Sequence, residues 1–152
     1  MNFEIRSNFP WPSNALSNFA KHPFVMDGLS FAGMEGFIQG LKIQNVKLQE
    51  RVFTLVGIEA YRAGQQFTVK NQTVYWRGTP LNRLSEAYDT LIHNAYYHMA
   101  EQNKSFRDAL VATGDKVLIH PLGSNDKFKT MFTEKEFCDK LTEIREIIKA
   151  TL

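Results

Sequence analysis

The sequence predicts an α+β fold: a single compact, predominantly helical domain over residues 1–152, with short strands and hairpins. Three observations lead there. Apolar residues recur at helical spacing in several stretches, the period that buries one face of a helix. Asp27-Gly28 separates two apolar arms and supplies the positive φ of a tight hairpin turn. The chain, at 152 residues with 43% apolar and 22% charged side chains, is long and apolar enough to bury one core without staples.

Taken in order, Phe3 and Ile5 alternate within Met1 to Arg6, a period-two strand signal. Pro10 and Pro12 flank Trp11 and make the next segment irregular. Phe24-Val25-Met26 and Leu29-Ser30-Phe31 are the arms of the hairpin. Gly33 bounds a helix in which Met34, Phe37, Ile38 and Leu41 form the apolar stripe. Gly36 and Gly40 share another flank of it. Each costs ~1 kcal/mol relative to Ala in a helix interior, so a close neighbouring backbone is expected there.

A second helix is expected from about Leu48 to Ala63, with Leu48, Val52, Leu55 and Val56 in register and Gly64 at the C′ position. Phe67 to Trp76 is β-prone with a turn at Asn71, and Arg77-Gly78-Thr79-Pro80 breaks the chain. A long helix from roughly Arg83 to Gln102 turns Leu84, Leu91, Ile92, Ala95 and Met99 inward. Asn103 ends it; Ser105 caps a short helix to Ala112, which Gly114 stops. Val117-Leu118-Ile119 reads as a short buried strand, and Pro121 to Lys129 as loop. Thr133-Glu134-Lys135-Glu136 is a capping box opening the last helix, whose stripe is Phe137, Leu141, Ile144 and Ile148.

Composition removes several functions. A net charge of +2 gives no footprint for non-specific nucleic-acid binding. No apolar run reaches a membrane-spanning length and no basic-then-apolar leader opens the chain. The single Cys138 allows neither an internal disulfide nor a multi-cysteine metal site, and a cytoplasmic location is expected. His22, His93, His98 and His120 lack a ligand spacing, so no metal is expected. No Gly-rich phosphate loop or nucleophile elbow occurs, so no cofactor is expected either.

The chemistry concentrates in residues 34–42. On a helix, Glu35, Gln39 and Lys42 gather beside the apolar stripe, with Glu35 and Lys42 about 20° apart around the axis. A carboxylate, an amide and an amine then share one partly desolvated edge; the alternative is an ordinary exposed Glu/Lys face. Trp76-Arg77 reads either as an aromatic platform with a phosphate-binding guanidinium or as a core indole beside a surface cation. Arg83, a cation opening a helix, asks for an ion pair or an anionic ligand. Tyr88, Tyr96 and Tyr97 read as packing residues, and Asn18 before Phe19 as a turn.

Leu16-Ser17-Asn18-Phe19, Pro23-Phe24, Asp27-Gly28 and Met34-Glu35 followed by Gln39-x-x-Lys42 together resemble the NADAR domain, the YbiA-like N-glycosidases, whose pattern is SNF…PF…DG…VEH…QAxK. Arg83 with Tyr88, the run Asn103 to Arg107, Leu110 and Thr113-Gly114 resemble that family's second half. The resemblance implies a mostly helical α+β domain that cleaves N-glycosidic bonds to ribose. Its substrates would be small ribosyl phosphates of the riboflavin-pathway type, or ADP-ribosylated nucleobases, free or in nucleic acid. It implies Glu35 and Lys42 as the catalytic pair and Asn18 and Phe19 as substrate-facing.

Within that reading Gln39 binds ribose hydroxyls, Trp76 stacks on the base, and Arg77 and Arg83 neutralise phosphates. The alternative function is a non-catalytic binder of ADP-ribose-like or nucleotide ligands. The chain departs from the pattern at Gly36, where the family has His. It departs again at Gly40, at Gln65 in place of an arginine, and at Asn125 to Phe132 in place of a Trp/Gly-rich stretch.

Overall fold

The computed structural model describes residues 1–151. The order of elements is β1 (Asn2–Glu4), α1 (Ser13–Leu16), β2 (Phe24–Met26), β3 (Leu29–Phe31), α2 (Met34–Gly40), α3 (Val46–Phe53) and α4 (Gly57–Gly64). These are followed by β4 (Thr73–Trp76), β5 (Thr79–Asn82), α5 (Glu86–Gln102), α6 (Lys104–Ala112), β6 (Val117–Ile119) and α7 (Glu134–Thr151). The fold is α+β, with three two-stranded sheets set among helices. β1 pairs in parallel with β6, the strand that precedes the last helix, while β2–β3 and β4–β5 are antiparallel hairpins. No helix among the described residues is long and apolar enough to cross a membrane.

Most expected elements form. Asp27 and Gly28 take φ of 52° and 78° at the β2–β3 turn, and Gly114 takes φ 61° after α6. The capping box closes reciprocally: Glu136 N–H donates to Thr133 Oγ1 at 3.0 Å, and Thr133 N–H to Glu136 Oε1 at 2.8 Å. Ser85 caps α5 by accepting from Tyr88 N–H.

Four expectations are corrected. The helix expected over 48–63 is two helices, α3 and α4, parted by Thr54–Val56 and turned by Gly57 at φ 55°. Arg77-Gly78 is not a break but the β4–β5 hairpin turn, both residues at positive φ (54° and 87°), the geometry of a two-residue turn. The long helix starts at Glu86, so Arg83 precedes it and Leu84 is exposed. Ser105 lies inside α6, where its hydroxyl meets His22 Nδ1 at 3.4 Å, and Asn103 holds the N-cap position.

The core gathers β2, β3 and α2 against α5, α6 and α7. Within it Phe24, Phe31, Phe37, Phe53 and Trp76 stack face or edge, with centroid separations of 4.7–6.4 Å. Such pairs add to the energy of area burial alone. The glycines of α2 serve the close approach that the sequence calls for. A methyl at Gly36 would overlap Leu55 O and lie 2.8 Å from Val52 O; at Gly40 it would meet the Phe53 ring at 2.5 Å. The α3–α4 connection therefore lies directly on α2.

Candidate functional site

One long face of α2 opens onto a cleft of about 950 Å³. Glu35, Ile38, Gln39 and Lys42 supply one wall; Ser17, Asn18 and Phe19 supply the edge that leads into α2. Tyr61 and Phe67 flank it on the α4 side, and the loop from Leu122 to Thr133 faces it.

The local chain explains the arrangement. Glu35 N–H donates to Asn18 O at 3.1 Å, so the start of α2 holds the Asn18 segment against the carboxyl's own backbone. Asn18 Oδ1 in turn accepts from the Tyr96 hydroxyl at 2.6 Å. Burial raises the Tyr96 phenol well above its usual range, so the hydroxyl stays a donor. One turn along α2, Gln39 Nε2 donates to Glu35 Oε2 at 2.7 Å, an i, i+4 bond that the helix makes available. Gln39 is 7% exposed and its Oε1 is buried without a partner. That oxygen occupies the space a Cβ at residue 64 would need, which is why position 64 is glycine; Gly64 ends α4 by packing and not as a left-handed C′ residue.

Lys42 lies just past the end of α2, its Nζ donating to Gly64 O at 3.4 Å. It makes no ion pair with Glu35, yet each group feels the other's charge across the cleft wall. Burial pushes the Glu35 carboxyl above its ordinary value, against the pull of the Gln39 bond and the Lys42 charge. Burial likewise pushes the Lys42 amine below its ordinary value, against the pull of Glu35. The protonated acid and the neutral amine both become more accessible near neutral pH. That combination suits proton transfer and nucleophilic attack in one pocket.

The other expected ligand-binding residues divide. Asn18, Phe19 and Gln39 line the cleft with the pair. Trp76 does not: strand alternation puts it on the same side of β4 as fully buried Val74, and the indole packs on Phe31, Phe37 and Phe53. Arg77 is likewise elsewhere, at the hairpin tip, with Nη1 on Asp27 O at 3.0 Å. Arg83 borders the cleft but its guanidinium is committed. It forks onto Glu136 at 2.6 and 3.3 Å and donates Nε–H to Thr130 O at 3.0 Å. Burial alone would raise the Glu136 carboxyl, but bonds from Arg83 and Thr133 outweigh it and hold it below its usual value. Arg83 is thus an internal strut, 2% exposed, that ties the loop before α7 to the chain before α5.

The sequence assigns no site role to that loop or to His120, which also borders the cleft with Nδ1 on Ile5 O at 2.8 Å. Gln72 Nε2 reaches Phe128 O and Tyr88 Oη reaches Met131 O, bonds spanning 56 and 43 residues that no local pattern reveals. Cys138 is buried outside the cleft, its thiol pushed up to about 12 by burial, hence an inert packing group. Among the described residues no three His, Cys, Asp or Glu are gathered as metal ligands.

The closed helical α+β body with its α2 cleft is the YbiA fold. The NMR structure of the E. coli protein YbiA matches with a TM-score of 0.65 over 99% of this chain and 84% of that one, at 20% identity. By sequence, the chain belongs to the bacteriophage protein GP30.3 family, whose model matches residues 10–146. A protein of enterobacteria phage T4, described as an uncharacterized 17.1 kDa protein of the Gp30–rIII intergenic region, is 51% identical over 146 residues. That match covers 94% of this chain and 96% of the phage T4 protein.

Proposed function

We propose that the protein is an N-glycosidase acting on the bond between ribose and a nucleobase-like group, the ribose carrying phosphate or belonging to ADP-ribose. The observation that carries this reading is the desolvated carboxyl and amine, Glu35 and Lys42, bordering one cleft large enough for a nucleotide. The YbiA fold supports it.

N-glycosidic cleavage builds positive charge at the anomeric carbon and negative charge on the departing base. Protonated Glu35 delivers its proton to the base as the C–N bond breaks. Neutral Lys42 attacks the anomeric carbon, and the Glu35 carboxylate takes the proton that the new N-glycosylamine nitrogen sheds. The sugar ring opens to the Schiff base as Glu35 returns that proton to the ring oxygen. Water then adds to the imine, releasing the sugar and restoring the amine. Asn18 faces the ribose. Gln39, expected on the ribose hydroxyls, instead orients the Glu35 carboxyl through its 2.7 Å bond. Phe19 with Tyr61, 6.3 Å apart, forms the aromatic wall for the base. With Arg77 remote and Arg83 paired, phosphates fall to Lys127 and Lys129 of the facing loop.

Base release is assayed with ADP-ribosylated guanine in DNA and with aminopyrimidine ribosyl phosphates. Glu35→Gln and Lys42→Ala should each lower turnover at least ~100-fold, the scale of losing one acid–base group. Near-normal turnover in both variants refutes the assignment. Borohydride reduction during turnover, followed by intact mass, tests the imine; without an adduct, the step is direct attack by water that Glu35 activates.

A further inference from the structure

Lys42 stands where α2 has already ended. A helix end leaves its last carbonyls short of the regular ladder; here the carbonyls around the amine-bearing residue are met from β4 and α3, Gly40 O also accepting from Ile43 N–H at 3.0 Å. Leu41 O accepts from Tyr75 N–H of β4 at 2.8 Å. The carbonyls on either side, Gly40 O and Ile43 O, both accept from one side-chain amide, Gln49 Nε2 of α3, at 3.0 and 3.3 Å. The two N–H groups of that nitrogen are shared with Tyr75 O as well, at 2.7 Å, and Gln49 Oε1 accepts from Arg77 N–H at 3.1 Å. Gln49 is 1% exposed and does not line the cleft.

We infer that Gln49 is the positioning residue for Lys42: its buried amide clamps the backbone on both sides of residue 42 to β4 and to the β4–β5 turn, and so fixes where the amine enters the cleft. A Gln inside a short helix is otherwise dispensable, and a buried amide is retained only where its bonds are used. This one uses both nitrogen and oxygen, on backbone groups flanking Lys42, on β4 and in the β4–β5 turn. The clamp also accounts for how an amine on a four-carbon stem is held beside Gly64 O and not left to swing into water. For activity the inference rests on the glycosidase reading; for placement it does not.

The test is competitive acylation of lysine amines across a pH series, read peptide by peptide, in the full-length protein with Gln49→Met and Gln49→Asn. Met keeps the volume and removes every bond, while Asn keeps the amide and shortens its reach. In the folded variants the Lys42 midpoint should move up toward the ordinary lysine value, with at least a threefold smaller neutral fraction at pH 8. Cleavage should lose at least tenfold in kcat with KM within twofold. A folded Gln49→Met with an unmoved Lys42 midpoint overturns the inference. Failure of both variants to fold assigns Gln49 to the fold and overturns it too. If the wild type releases no base, the glycosidase reading falls while the amine titration still decides the role of Gln49.

Discussion

Replacing Gly36 with Ala tests the packing on which the Glu35 edge is built. In an exposed helix this change would stabilise by ~1 kcal/mol, because Ala is the better helix former. Here the added methyl overlaps Leu55 O and lies 2.8 and 3.2 Å from Val52 O and Phe53 O. These contacts are tighter than the ~3.3–3.6 Å at which carbon meets a carbonyl oxygen. The neighbours are backbone and already engaged, Val52 O by Leu55 N–H and Phe53 O by Ala32 N–H, both at 3.0 Å. Overpacking of this kind costs about 1–3 kcal/mol or more. The rigid surroundings favour the upper end, leaving a net loss of roughly 2 kcal/mol after the propensity gain. For a chain of this size that lowers Tm by roughly 4–8 °C. Differential scanning calorimetry reads it directly, with Gly114→Ala as the comparison, since that site has φ 61° and nothing within 4 Å. An unchanged or raised Tm for Gly36→Ala would mean that α2 does not lie on the α3–α4 connection as described. The same contacts leave no room at residue 36 for the histidine of the NADAR pattern that the sequence resembles.

Three further outcomes follow from the charged and titrating groups. Arg83→Met strands Glu136 and releases Thr130 O, and should cost about 3–5 kcal/mol in urea unfolding, the range for breaking one side of a buried pair. Because Glu136 is held below its usual value, the pair's contribution is present above about pH 4.5 and lost as pH falls through the depressed folded value. Burial lowers the His22 imidazole, against its 2.7 Å bond to Ala15 O, so the unfolded chain binds the proton more readily. Stability should therefore decline as pH drops below about 6.5, and that slope should vanish in His22→Leu. Glu35 behaves oppositely. With its folded value raised, stability is lost as pH climbs through and above about 4.5, so Glu35→Gln should raise Tm at pH 7 and lose that advantage in acid. On the proposed reading, a carboxyl needed for the chemistry is kept at some cost to the fold, the expected trade.

The parts of the fold that could be read in the sequence are those whose cause is local. Asp27-Gly28, the Thr133–Glu136 box and the stripes of α5 and α7 each carry their own geometric requirement, and each is found. Where the cause lies elsewhere in the chain, the pattern misleads. Val52, Leu55 and Val56 keep helical spacing straight through the break between α3 and α4, because the break answers to α2 packing beneath it. Arg77 is an unlikely residue for positive φ, so its turn hides behind the residue type.

The candidate site divides in the same way. Glu35, Gln39 and Lys42 are legible because one helix and its first turn beyond place all three. The facing wall is irregular chain fixed by Arg83, Tyr88 and Gln72 across 43 to 56 residues, and no window of sequence contains both ends of those bonds. Arg83 shows how far this goes. The sequence marks it as a cation in need of an anion, which is right, but the anion is Glu136 of the protein itself. With that guanidinium holding the loop, the proposed glycosidase reading puts phosphate recognition on the loop's own lysines. On the proposed reading, substrate preference follows from the loop between Leu122 and Thr133, which contains Asn125 to Phe132, one of the stretches where the chain departs from the motif it resembles.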